Sequence, residues 1–87
     1  MKFIDIVVRD PHGIHLRVAS AIAQRIRKYK SEIVISKDNK ISSANSVLGM
    51  VLLEATENSK IRVTASGEDE ENAIKDMGEF FTDGAGI

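Results

Sequence analysis

The apolar residues of this chain change their spacing at its only proline, Pro11, and that change limits the architectures open to it. Before the proline, Ile4, Ile6 and Val8 alternate with Asp5, Val7 and Arg9, the period of two expected of a strand with one face on a core. After it, Ala19, Ile22, Ala23 and Ile26 recur at helical spacing, with Gln24, Arg25, Arg27 and Lys28 on the remaining faces. Pro11, His12 and Gly13 mark the loop between them. A helix from about Leu16 to Lys28 is therefore expected.

The same reading continues to the far end. "EIVIS", a polar "KDN" turn and "KISSA" form a hairpin, although the weak alternation of the second arm leaves its register open. "NSVLGMVLL" is a short helix capped by Asn45 or Ser46, either of which can accept a hydrogen bond from an unpaired backbone N–H, and Gly49 weakens it. "KIRVTAS" is a strand. "DEENAIKDMGEFF" is a helix with Ala73, Ile74, Met77, Phe80 and Phe81 on its apolar face and acids at its positive end. The order is βαββαβα. Three amphipathic helices supply apolar surface for one face of a sheet only, so the expected fold is α+β, an open-faced β-sandwich in which three helices cover one face of a four-stranded antiparallel sheet. The open face carries Asp5, Val7, Arg9, Arg62, Thr64 and Ser66. With 87 residues the chain has room for one core, and a single domain over 1–87 is expected.

Composition removes several functions. The chain has no cysteine, which excludes disulfides, thiolate metal sites and cysteine nucleophiles. A net charge of -1 and 5% aromatic residues argue against a nucleic-acid partner held through phosphates or stacked bases. "MKFIDIVVRD" lacks the unbroken apolar run of a signal peptide or membrane span, so a cytoplasmic protein without membrane insertion is expected, as a monomer. Arg17, Arg25, Arg27, Lys28 and Lys30 crowd one segment and "EDEE" another; most of these are expected on solvated helix faces.

The residues that carry chemistry lie at the loop-to-helix junction. His15 stands at the start of the first helix, where free N–H groups and the helix dipole favour an anion, and Gly13 lets the chain turn sharply into it. Arg17 adds a guanidinium fork that fits phosphate oxygens. Neutral imidazole is a competent nucleophile, so the group reads as a cradle for a phosphohistidine and needs neither metal nor other cofactor. His12 lies three residues before His15, but a loop pair with no third ligand makes a poor metal site, and a solvated loop histidine is expected.

"GIHLRVA" resembles the "GIHARPA" motif of the HPr family, the histidine-containing phosphocarrier proteins of the bacterial phosphoenolpyruvate-dependent sugar phosphotransferase system. "NSVLGMVLL" is similar to that family's "KSIMGVMSL", "VTASGEDEENAI" resembles the run into its last helix, and the spacing between segments is kept. The resemblance implies the same βαββαβα fold. It implies a carrier rather than a turnover enzyme, in which His15 accepts a phosphoryl group through Nδ1 from phosphorylated Enzyme I and passes it to Enzyme IIA proteins, with Arg17 steadying the phosphate. It also implies that Ser46 is a regulatory phosphorylation site for an HPr kinase/phosphorylase, although a helix cap explains this serine by itself.

Two residues depart from the motif. Val18 replaces a proline, which loses preorganisation of the helix start and returns one N–H donor, and Leu16 replaces a small residue and should project towards a partner. The expected partner-binding set is Leu16, Ser20, Val47, Leu48 and Val51, with core packing the rival explanation for part of the second helix. An HPr-like regulatory protein acting through Ser46 and the adjacent apolar patch, outside sugar transport, is the alternative function.

Overall fold

The computed structural model describes residues 1–82, so residues 83–87 of the expected domain lie outside the described residues. Strand β1 (Lys2–Val7) is followed by helix α1 (Leu16–Arg25), the hairpin β2 (Glu32–Lys37) and β3 (Lys40–Ser43), helix α2 (Val47–Val51), strand β4 (Lys60–Ser66) and helix α3 (Glu70–Thr82). The strands form one antiparallel sheet in the order β1-β4-β2-β3. Ile33, Ile35, Ile61, Val63 and Ala65 point to the helix side, where they meet Val18, Ala19 and Ile22 of α1, Met50 of α2 and Ala73, Met77, Phe80 and Phe81 of α3. Each buried Ile, Val, Met or Phe side chain among them contributes roughly 1.5–3 kcal/mol relative to exposure. The fold is the open-faced α+β sandwich expected from the sequence.

On the other face, Asp5 and Arg62 stand opposite each other across β1 and β4 and form a two-bond ion pair at 2.7 and 3.1 Å. The Arg62 guanidinium also lies 4.1 Å from the centre of the exposed Phe3 ring. The register left open by sequence is set by pairing of Ile35 with Ser42 and Ser36 with Ile41, joined by a two-residue turn in which Asp38 takes φ 55°.

Three local features differ from expectation. The first helix is α-helical only to Arg25, and Ile26–Lys28 continue as a tighter 3-10 turn, a common way for a helix to satisfy its last carbonyls. The second helix is shorter than its apolar run, because Leu52 already caps it. A side chain at Gly49 would run into the hydroxyls of Ser42 and Ser46, so glycine is there for the close approach of β3 to α2. Finally, Arg25 and Lys28 are not merely solvated: both reach Asp76 on α3, at 2.6 and 3.3 Å, and the Tyr29 hydroxyl donates to the same carboxylate at 2.6 Å.

Candidate functional site

The loop that delivers His15 is built from Asp10, Pro11, His12 and Gly13. Gly13 N–H donates to the Asp10 carbonyl at 2.9 Å, closing a four-residue turn with proline at its second position, where a fixed φ suits it. Inside the turn the Asp10 carboxylate accepts the His12 backbone N–H at 2.8 Å. Gly13 has φ +69°, and a Cβ there would collide with the Ala55 carbonyl. The next residue donates to that same carbonyl, Ile14 N–H to Ala55 oxygen at 3.0 Å, and buries its side chain. Glycine conformation and backbone contact together pin the chain just before the histidine.

His15 is the residue that precedes the first turn of α1. Its backbone is extended, and its carbonyl accepts the Ala19 N–H at 2.9 Å. No side chain caps this helix and its first turn holds no acid, so the N–H groups of Leu16, Arg17 and Val18 are open to an anion. The imidazole is 28% exposed, yet its Nε2 atom is buried and lies 3.6 Å from Oδ2 of Asp10. Nδ1 is thus the ring nitrogen available from outside. Arg17 is exposed on the first turn, and none of the ion pairs among the described residues uses it. Val18, the other departure from the motif, is 1% exposed and belongs to the core.

Asp10 escaped the sequence reading. It is only 4% exposed, and the His12 N–H, assisted by the His15 imidazole, outweighs burial and holds its carboxyl below the usual carboxylate range. The signal was present in Asp-Pro-His-Gly, because aspartate at the start of a turn characteristically bonds the backbone two residues on. His12 itself is exposed, and its ring meets that of His15 edge-on at 5.9 Å between centres. Among the described residues no three His, Cys, Asp or Glu side chains group as metal ligands.

Around α2, Ser46 is the cap: its hydroxyl accepts the Gly49 N–H at 3.0 Å, whereas the Asn45 side chain accepts from the Ser43 hydroxyl. Of the three apolar residues singled out there, only Leu48 faces water; Val47 and Val51 are half-buried against the core. Leu52, not singled out by sequence, is nearly as exposed as Leu48, and Leu16 on α1 is exposed too. Helices α1 and α2 pack together. Ser20 is half-buried and shares a shallow groove of about 320 Å³ with Ala23, Gln24, Arg27, Asn45 and Val47.

This arrangement has close counterparts. The chain is 40% identical over 75 residues to the phosphocarrier protein HPr of Mycoplasma pneumoniae, covering 85% of each chain. It is 29% identical over 82 residues to the multiphosphoryl transfer protein of Haemophilus influenzae, where the match spans 91% of this chain but 16% of that longer one. Its structure superposes on HPr-C-His from Thermoanaerobacter tengcongensis with a TM-score of 0.93 at 32% identity, covering 100% of this chain and 98% of the other. The family described as PTS HPr component phosphorylation site matches residues 4–83, and the chain belongs to this HPr family of the phosphotransferase system.

Proposed function

We propose that this protein accepts a phosphoryl group on Nδ1 of His15 from phosphorylated Enzyme I and hands it to Enzyme IIA proteins during sugar uptake in the cytoplasm. The observation that carries this reading is the imidazole at an uncapped helix start, one nitrogen buried and the other open, with three backbone N–H groups beside it. A phosphoryl group on Nδ1 places its oxygens against those N–H groups and within reach of Arg17, which has no competing ion pair among the described residues. Neutral imidazole supplies its own lone pair, so positioning and charge stabilisation suffice. The exposed Leu16, Leu48 and Leu52 offer apolar contacts on which a partner docks, and Ser20 lines the groove beside Val47.

Incubation with Enzyme I and phosphoenolpyruvate, followed by intact mass, tests this. One acid-labile phosphoryl group is expected on the wild type and none on His15→Ala. Equal labelling of the variant would overturn the assignment.

Regulation through Ser46 is a second reading, favoured by one observation: the serine caps the very helix that presents Leu48 and Leu52. A phosphate placed there by an HPr kinase/phosphorylase adds roughly two negative charges to the docking surface.

A further inference from the structure

Two buried side-chain atoms among the described residues lack a hydrogen-bond partner: Nε2 of His15 and Oδ2 of Asp10. They face each other at 3.6 Å. Buried polar atoms are nearly always paired, so an isolated pair of this kind points to a bond between them. The separation exceeds the usual 2.7–3.2 Å by roughly half an ångström, and bonds in unliganded reactive sites commonly tighten only when the reacting complex forms. Asp10 cannot readily turn away. Its other oxygen holds the His12 N–H and its carbonyl holds the Gly13 N–H.

We propose that Asp10 is a positioning residue for His15, fixing the imidazole in the tautomer with its proton on Nε2 and its lone pair on Nδ1. An ionised carboxylate only accepts hydrogen bonds, so the atom opposite it must donate. The consequence for transfer rests on the carrier reading of His15; the tautomer itself does not. In the accepting step the Nδ1 lone pair forms the bond to phosphorus as the bond between phosphorus and the donor atom breaks, its electron pair staying with the donor. No proton leaves the ring. The phosphorylated imidazole keeps its Nε2 proton and becomes cationic, facing the Asp10 carboxylate. In the onward step a lone pair of the acceptor forms the new bond to phosphorus as the Nδ1–phosphorus bond breaks, its electron pair returns to Nδ1, and the leaving group is neutral imidazole rather than its anion.

Asp10→Asn separates this role from that of a loop cap. The asparagine carbonyl oxygen can still accept the His12 N–H, which turns its NH₂ group, a donor, towards Nε2. The proton is then driven to Nδ1 and the nucleophilic lone pair is lost. Asp10→Ala removes the cap but imposes no wrong tautomer. The expected order of thermal stability is therefore wild type, Asn, Ala, while the expected order of phosphoryl acceptance from Enzyme I is wild type, Ala, Asn, the last at least about tenfold slower, or roughly 1.4 kcal/mol in barrier. Imidazole nitrogen NMR at alkaline pH reads the tautomer directly and needs no partner: Nε2–H in wild type, Nδ1–H in Asp10→Asn. A wild type with Nδ1–H, an Asn variant that keeps Nε2–H, or a transfer order that simply follows stability would each overturn the proposal. A wild type that takes no phosphate overturns the carrier reading instead, and the tautomer spectra still decide the role of Asp10.

Discussion

Arg17 shows what one residue contributes beyond its charge. The guanidinium presents parallel donors to phosphate oxygens, whereas lysine offers a single flexible ammonium. Arg17→Lys should leave stability unchanged, since the side chain is exposed and makes none of the ion pairs among the described residues, but should slow transfer from Enzyme I about tenfold. Stopped-flow or rapid-quench rates at saturating Enzyme I separate this from weaker docking. Equal rates would make Arg17 a surface cation. Its place beside the histidine was legible in the sequence because both flank the same helix start. The turn bond of Asp10 was legible too, but its approach to His15 was not, because it depends on Gly13 being pressed against the Ala55 carbonyl, a contact between residues far apart in the chain.

At the scale of the element, α2 is held by a single side-chain cap and is only five residues long. So short a helix has little stability of its own and depends on packing Met50, with Leu53 just beyond it, into the core. Ser46→Ala should cost about 1 kcal/mol, whereas Ser46→Asp retains an acceptor for the Gly49 N–H and should be near neutral for stability. Its effect should fall on association: a new negative charge beside the proposed docking surface should slow transfer from Enzyme I. The loss should shrink as salt rises, with a Debye length of about 8 Å at physiological ionic strength. Melting curves and a salt series of transfer rates read the two effects separately; wild-type transfer by Ser46→Asp at low salt would leave the serine with capping alone.

For the whole molecule, the end of the first helix and α3 are joined by a clasp in which Arg25, Lys28 and Tyr29 all reach the Asp76 carboxylate. Burial pushes the Asp76 carboxyl up, but the Tyr29 hydroxyl, Arg25 and Lys28 outweigh it, and the net shift is downward. A lowered folded-state pKa stabilises above the unfolded carboxylate value of about 3.9 and is lost as pH falls through the lower folded value. Burial first, then the bond to Asp76, pushes the Tyr29 hydroxyl up to about 12. Its stabilisation is full below the unfolded value of about 10 and disappears as pH rises through the folded one. Asp76→Ala should cost about 1–3 kcal/mol at pH 7, the lower end reflecting solvent around the half-exposed Arg25. The difference from wild type should narrow below pH 4. Thermal unfolding at pH 7 and pH 3 measures both, and an equal penalty at the two pH values would show that the carboxylate charge is irrelevant.

What the sequence determined by itself is whatever depends on neighbours a few residues apart. The period of two in Ile4, Ile6 and Val8, the helical spacing of Ala19, Ile22 and Ala23, and the turn at Pro11 to Gly13 fix where strands and helices lie. Together with the count of apolar faces, they fix one covered side of a sheet. His15 at a helix start follows from the same local rules. The tertiary structure alone decided which side chains meet across the fold. Arg25 and Asp76 are 51 residues apart and Tyr29 and Asp76 are 47 apart, so their clasp depends on the fold bringing the end of the first helix to α3 over the same core. The exposure of Leu48 against the partial burial of Val47 and Val51 was likewise undecidable from a helix of five residues, since its apolar run covers nearly every face and only the position of the sheet says which one is inside.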